Sequence, residues 1–260
     1  MPFITIAYLI FLAAPVLLLA LGSFGESWSN TLLPTGFTGR WFAEIASDPS
    51  FRRAFGTSLE IVALTCALNV LIGLPLAYAI QAGARGGLRI AARLVTFLPV
   101  AVPELVLAFG FILVFSSDAL PWLGSFWLLA AGHLVLTLPY TVTALLADMD
   151  QLDLEAFENA AATLGASFAA RFCDITLPLL GTSLLSTTLT VAALSIGEFQ
   201  LSNLVSGFLS RTYPVVLLQA FYGATGFACA ATIVLLSLAT IASLTSSLTA
   251  LAAGAGKTTA

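Results

Sequence analysis

The chain has 260 residues, of which 59% are hydrophobic and only 8% are charged. Soluble domains carry roughly 25% charged residues, and a soluble chain of this length has too little interior to bury so much apolar surface. The composition therefore excludes a soluble protein and predicts an integral membrane protein in contact with lipid. The net charge of −4 excludes an extensive basic surface, so no nucleic-acid partner is expected.

The chain up to residue 147 contains four apolar stretches. Each is about long enough to cross a bilayer at roughly 1.5 Å per residue. They predict transmembrane helices over residues 3–24, 56–80, 94–115 and 127–147. A signal peptide is the alternative for the first stretch, but no Lys or Arg precedes it, and it exceeds the roughly 7–15 residues of a signal core. Pro99 and Pro103 predict a broken or kinked start to the third helix.

The loop over residues 81–93, between the second and third helices, indicates the orientation of the chain. It contains Arg85, Arg89 and Arg93 and no acidic residue. Because basic residues accumulate in cytoplasmic loops, this loop is expected inside the cell. Six helices would then place both termini in the cytoplasm.

Residues 148–178 form a long polar and acidic segment between apolar stretches. Its apolar residues recur at spacings of three and four, which predicts helix. They are Leu154, Phe157, Ala161, Leu164, Phe168 and Phe172. The other face carries Asp153, Glu155, Glu158 and Asn159. The segment is therefore amphipathic and is expected outside the hydrocarbon, with a turn between two short helices at Gly165.

A spaced motif runs through this segment. Its positions are Asn159, Ala160 and Ala161, then Gly165, then Ile175, Leu177 and Pro178. This pattern resembles the EAA loop of permeases from binding-protein-dependent ABC importers, which reads Glu-Ala-Ala, three residues, Gly, nine residues, Ile, any residue, Leu and Pro. Asn159 stands where the family has Glu, and Glu158 just before it is the candidate substitute.

The resemblance implies an all-α membrane fold of about six transmembrane helices, of the type I ABC importer permease kind, in the bacterial inner membrane. In that family the EAA loop is a cytoplasmic coupling helix that docks on an ATPase. The implied partners are two ABC ATPase subunits, a second permease chain that is expected to differ from this one (a heterodimer), and an extracytoplasmic solute-binding protein.

This chain is expected to be non-catalytic and to hold no cofactor, with ATP bound by the partner subunit. Its tail, residues 254–259, looks like the end of a phosphate-binding loop, but Leu251 stands where that motif requires Gly. A protease is not expected, because the single histidine, His133, has no Gly-x-Ser-x-Gly motif to accompany it. The three scattered cysteines give no metal-ligand spacing.

The second half of the chain predicts the fifth and sixth transmembrane helices over residues 179–205 and 226–252. The segment between them is expected outside the cell, either as a loop or as a re-entrant stretch. The whole chain, residues 1–260, is then a single transmembrane permease domain.

Two acidic residues fall well inside the predicted helices, Glu198 in the fifth and Glu104 in the third, whereas Glu60 lies close to the outer end of the second, where its side chain can reach water. Ionised groups at membrane depth are costly unless they are paired or face water. Ser202 would share a helical face with Glu198. Glu198, Glu104 and Ser202 are candidates for a solute path that favours a cation. Alternatively, the carboxyl groups bond to neighbouring helices and hold the bundle together. His133 has no second ligand at metal spacing and is expected to be a core residue.

The size, the Pro-Glu-Leu-Val sequence in the third helix and the acid in the fifth look most like the spermidine/putrescine permease group, so a polyamine is the favoured solute. Related groups carry iron(III), thiamine, aminoethylphosphonate or other small solutes. The alternative class is a proton-coupled secondary transporter. Such proteins usually have interrupted helices in both halves, whereas here only the third helix is predicted to be interrupted.

Overall fold

The structure is a computed structural model that describes residues 2–28, 31, 33–83 and 86–257. Within these ranges the regular structure is helical, and only isolated β-bridges occur besides it. The helices are α1 (Pro2–Phe24), α2 (Arg40–Ser47), α3 (Pro49–Leu68), α4 (Leu74–Gly83), α5 (Gly87–Ala101), α6 (Glu104–Phe115), α7 (Phe126–Gln151), α8 (Leu154–Thr163), α9 (Phe168–Arg171), α10 (Leu177–Leu179), α11 (Gly181–Ile196), α12 (Gln200–Val205), α13 (Tyr213–Ala220) and α14 (Thr225–Lys257). Two π-helical turns, Asn69–Gly73 and Phe172–Thr176, join α3 to α4 and α9 to α10.

Four helical stretches of the described chain are long and apolar enough to cross a membrane. They are Phe3–Phe24, Pro49–Gly83, Phe126–Gln151 and Thr225–Thr245. Two sharply bent pairs, α5 with α6 and α9–α10 with α11, raise the number to six if each pair counts as one span. The predicted all-helical membrane fold is confirmed.

The second span begins at Pro49 rather than at residue 56, because Asp48 provides a strong helix start. Its side chain accepts hydrogen bonds from the backbone N–H groups of Ser50 (2.8 Å) and Phe51 (3.0 Å). Pro49 occupies the first turn, where a missing N–H costs nothing. Arg52 and Arg53, which precede the predicted start at residue 56, therefore belong to the first turns of α3.

A buried amide fixes the π-helical turn in this span. The Asn69 side chain donates to the carbonyl oxygen of Thr65 (2.9 Å) and to the Thr137 hydroxyl (2.8 Å). It accepts from the Thr141 hydroxyl at 2.8 Å. Because Gly73 has no side chain, Thr141 can lie against the backbone there. The second span is thus locked to α7 by polar contacts in the apolar interior.

The predicted break in the third span is confirmed, and it falls at Val102–Pro103. There α5 and α6 meet at 93°, and Pro103 has no N–H to continue the hydrogen-bond ladder. The prediction of a continuous fifth helix over residues 179–205 was wrong. Helix α11 ends at Ile196, and residues 197–199 separate it from α12. Residues 179–205 are apolar enough to predict one continuous helix, so the break at residues 197–199 was not predicted.

Helix α11 lies at the centre of the bundle, where it packs against α3, α7 and α14, while α1 packs on α14 and α12 on α6. The short α13 is buried between α3 and α14. Its Tyr213 backbone N–H donates to the Ser58 hydroxyl (2.8 Å), and its phenol donates to the Ala231 carbonyl oxygen (3.0 Å). Because α12 packs on α6, the break before α6 and the break before α12 lie against each other beside α11.

Candidate coupling segment and membrane cavity

The predicted turn at Gly165 is confirmed. Helix α8 ends with the Gly165 N–H bonded to the Ala162 carbonyl oxygen and the Ala166 N–H bonded to that of Ala161, both at 3.0 Å. This pair of bonds is a Schellman ending, which needs a residue in the left-handed region. Gly165 has a φ of +84°, a conformation that glycine adopts without strain.

The two faces of α8 are not arranged as the amphipathic pattern predicted. Glu158, assigned to the water-facing side, is only 7% exposed, and Leu154 is also buried. In contrast, Leu164 is 88% exposed, and Phe157 and Phe168 are more than half exposed. Hydrogen-bonding partners inside the protein draw the carboxylate inward, and apolar side chains are left on the outer surface.

The Glu158 carboxylate binds two hydroxyl groups from distant parts of the chain. Tyr78, near the end of the second span, donates to Oε2 at 2.7 Å. Thr176, in the π-helical turn before the fifth span, donates to Oε1 at 2.5 Å. The Arg171 guanidinium lies 3.8 Å from Oε2. Glu158 therefore faces into the protein, whereas Asn159, at the position of the family's Glu, is exposed.

The remaining motif positions differ in their burial. Ala160 is exposed and Ala161 half-buried on α8. Ile175 packs against the buried apolar cluster that contains Leu145 and Leu180. Leu177 and Pro178 begin α10 and are exposed. The motif thus brings together the turn, its supporting core and the start of the fifth span.

The second feature is a cavity of about 490 Å³ at the point where the two helix breaks face each other. Glu104, His133, Tyr140, Glu198 and Gln200 contribute polar groups to its wall. The structure therefore brings the two predicted path carboxylates to one cavity. Ser202 is fully buried and is not part of the wall.

Glu198 lies in the break, and it caps α12 from there. Its carboxylate accepts hydrogen bonds from the backbone N–H groups of Leu201 (2.7 Å) and Ser202 (2.9 Å) and from the Ser202 hydroxyl. The predicted shared helical face is wrong, because Glu198 precedes α12; the two side chains meet through this capping instead. A negative charge at this end of a helix is favoured by the helix dipole.

His133 is buried, as predicted, and it also belongs to the wall of the cavity. Its Nδ1 lies 2.8 Å from the Ser195 hydroxyl and its Nε2 lies 2.9 Å from the Ser202 hydroxyl. Nε2 is also 3.5 Å from the Glu198 carboxylate. Sequence reasoning missed this role because the partners are more than sixty residues away. The available signal was an ionisable side chain inside an apolar span.

Comparisons with known proteins identify the family. The sequence profile of the "Binding-protein-dependent transport system inner membrane component" family matches residues 69–253, more than half of the chain. The 2-aminoethylphosphonate transport system permease protein PhnV of Salmonella typhimurium is 27% identical over 214 residues, covering 82% of this chain and 79% of the relative. The putrescine transport system permease protein PotI of Escherichia coli is 27% identical over 218 residues, covering 81% and 75%.

A solved structure has the same fold. It is a chain from the bacterial alginate ABC transporter in complex with an alginate pentasaccharide-bound periplasmic protein. Its TM-score is 0.72 at 18% identity, and the match covers 93% of this chain and 89% of that one. The family match favours the binding-protein-dependent transport class over a proton-coupled secondary transporter. The expectation that only the third helix is interrupted was wrong, because the fifth span is interrupted as well. The chain belongs to the binding-protein-dependent transport system inner membrane component family, and it has the type I ABC importer permease fold.

Proposed function

We propose that the segment between α7 and α10 is the coupling loop on which an ATPase subunit docks, and that ATP is hydrolysed by that partner. The observation that carries this proposal is the exposed apolar surface of Phe157, Leu164 and Phe168 around the Gly165 turn. Such a surface on a segment outside the membrane is typical of a protein interface. Asn159 and Ala160 are exposed beside it.

The coupling loop and the loop between the second and third spans lie at the same end of the molecule. Arg93 of α5 binds Asp150, near the end of α7, at 3.0 Å, and Gln81 donates to the same carboxylate at 2.9 Å. Arg85 lies outside the described residues. The basic residues of this end support a cytoplasmic location for it, and with six spans also for both termini.

The complete importer is proposed to contain two ATPase subunits, a second, different permease chain and an extracytoplasmic solute-binding protein. The cavity between the two helix breaks would form this chain's part of the solute path. ATP-driven closure of the ATPase dimer would move α8 and shift the permease pair between inward-facing and outward-facing states.

The proposed solute is a small molecule that carries an amine, with a polyamine as the favoured candidate. Glu104 is exposed at the cavity and Glu198 lies across it, so the wall is acidic and attracts cations. The named solutes of two relatives, putrescine and 2-aminoethylphosphonate, both contain an amine. Iron(III), thiamine and other small solutes are the alternatives.

The docking proposal is tested by introducing a charge into the exposed apolar surface. Leu164→Asp should prevent co-purification of the ATPase while the permease still inserts in the membrane, and Ala161→Asp should also abolish transport. Leu164→Met, which keeps an apolar side chain at the same position, is the matched control and should retain the ATPase. An unchanged ATPase yield with Leu164→Asp would contradict the proposal.

The solute proposal is tested with vesicles that contain the complete transporter. Putrescine uptake and its competition by 2-aminoethylphosphonate should be measured for the wild type and for Glu104→Gln. We expect the variant to take up putrescine at a rate several-fold lower. Equal rates would remove Glu104 from the path.

A further inference from the structure

Three parts of the chain meet at the Glu158 carboxylate. The second span reaches it through Tyr78, the coupling helix α8 carries it, and the entry to the fifth span reaches it through Thr176. Thr176 is fully buried, so its hydroxyl has no water to replace the carboxylate.

The surroundings of this contact make it rigid. The Tyr78 ring packs edge-on against Phe168 and Phe172, with centroids 5.8 Å and 5.3 Å apart. Hydrogen bonds to an ionised carboxylate are shorter and stronger than neutral ones. A buried carboxylate that loses them keeps its desolvation cost without compensation. Displacement of α8 by itself would break these bonds, so the three segments are expected to move together.

The fifth span continues from this contact to the cavity. Thr176 is followed directly by α10 and α11, and α11 ends at Ile196, next to the break that holds Glu198. A displacement of Thr176 would therefore pass through the 63° bend between α10 and α11 and then along α11, which is packed in the bundle, to the cavity wall.

We propose that Glu158 is a positioning residue that joins the coupling helix to the second and fifth spans and transmits the movement of α8 to the cavity. This inference rests on the proposed docking of an ATPase at the coupling segment. It assigns a different task to each of two neighbouring residues. Asn159 faces the partner, whereas Glu158 acts inside this chain through Tyr78 and Thr176.

The experiment measures the movement directly and needs no knowledge of the solute. Cys66, Cys173 and Cys229 are replaced by Ala, and a single cysteine is introduced as Gln200→Cys in the cavity wall. The rate at which a membrane-impermeant maleimide labels this cysteine is compared in the complete transporter complex without nucleotide and with ATP and vanadate. In the protein that carries only these cysteine replacements and Gln200→Cys, nucleotide should alter the labelling rate.

Glu158→Gln should reduce the nucleotide-dependent change in labelling by roughly twofold to thirtyfold, the range expected for residues within a coupling network. The amount of co-purified ATPase should stay unchanged. Glu155→Gln is the matched control, since Glu155 lies on the same helix but is exposed, and it should keep the full change. The double variant Tyr78→Phe with Glu158→Gln should show a nucleotide-dependent labelling change no smaller than that of Glu158→Gln alone.

A second pair of variants keeps the test valid if Glu158→Gln does not fold. Thr176→Val removes the hydroxyl donor and should reduce the nucleotide-dependent labelling change. Thr176→Ser retains the donor and should keep the labelling change of the wild type. A full labelling change in Glu158→Gln and in Thr176→Val would overturn the inference, as would an equal loss in Glu155→Gln. Failure of the proposed docking appears separately, as an absence of co-purified ATPase in every variant including the wild type.

Discussion

Two buried carboxylates, Glu158 and Glu198, stabilise irregular parts of this chain in different ways. Glu158 binds hydroxyl groups from two distant segments and lies 3.8 Å from a guanidinium. Glu198 binds backbone N–H groups only three and four residues further along the chain. Its nearby ionisable partner is a histidine at 3.5 Å. One carboxylate therefore holds segments together, and the other fixes a local break in a helix.

This difference separates the expected effects of mutation. Loss of a contact between distant segments should weaken the transmission of movement and leave each helix intact. Loss of a local cap should change the shape of the cavity wall itself, because the first N–H groups of α12 would have no partner in an apolar setting. Measurements of coupling and of solute affinity can therefore distinguish the two regions.

The largest effect is expected at the turn of the coupling segment. Gly165→Pro should abolish transport, because proline cannot adopt a φ of +84°, and the variant should still insert in the membrane. Gly165→Ala is the graded control. An added Cβ meets no neighbouring atom within 4 Å. Gly165→Ala should therefore destabilise the turn only by the backbone strain of an alanine in the left-handed region, about 1–2 kcal/mol. Normal uptake by Gly165→Pro would show that the turn is not needed for coupling.

A large effect is also expected at the break in the fifth span. Glu198→Ala should lower transport of a cationic solute at least about tenfold, since it leaves two backbone N–H groups without their acceptor, at roughly 1–3 kcal/mol each. Glu198→Gln keeps one acceptor oxygen and should slow transport less. Steady-state uptake in vesicles at several solute concentrations provides the measurement. Identical kinetics for the wild type and Glu198→Ala would remove this carboxylate from the path.

The histidine beside Glu198 should affect stability more than transport. His133→Ala removes the imidazole that contacts the buried hydroxyls of Ser195 and Ser202 and should lower the free energy of unfolding by about 1–3 kcal/mol. His133→Gln offers both a donor and an acceptor and should recover part of that loss. Thermal unfolding in detergent gives the comparison, and a Tm unchanged in His133→Ala would contradict it.

The smallest effect is expected at the guanidinium beside Glu158. The side chains of Arg171 and Glu158 are 24% and 10% exposed, and an ion pair at that distance near the surface contributes roughly 1 kcal/mol or less. Arg171→Gln should therefore reduce nucleotide-dependent labelling in the cavity less than Tyr78→Phe does. A larger loss of the nucleotide-dependent labelling change in Arg171→Gln than in Tyr78→Phe would mean that the guanidinium charge, rather than hydroxyl donation, holds Glu158 in place.

The sequence determined the fold class and the position of the glycine turn within residues 148–178. Hydrophobic stretches of sufficient length specify membrane helices because the bilayer itself sets the required length. The turn at Gly165 was predictable because a left-handed residue at a helix end is a local requirement. The break at Pro103 was predictable because the missing N–H is a property of the residue itself.

The tertiary structure alone decided which side chains face inward. Periodicity placed Glu158 with the polar residues on the water-facing side, but Tyr78 and Thr176, from other parts of the chain, provide its hydrogen bonds inside the protein. Likewise, the break at residues 197–199 depends on Glu198 as a cap, and the contacts of His133 depend on the packing of α7 against α11. Hydrogen bonds between distant residues form only once the helices are packed, and no local pattern in the sequence records them.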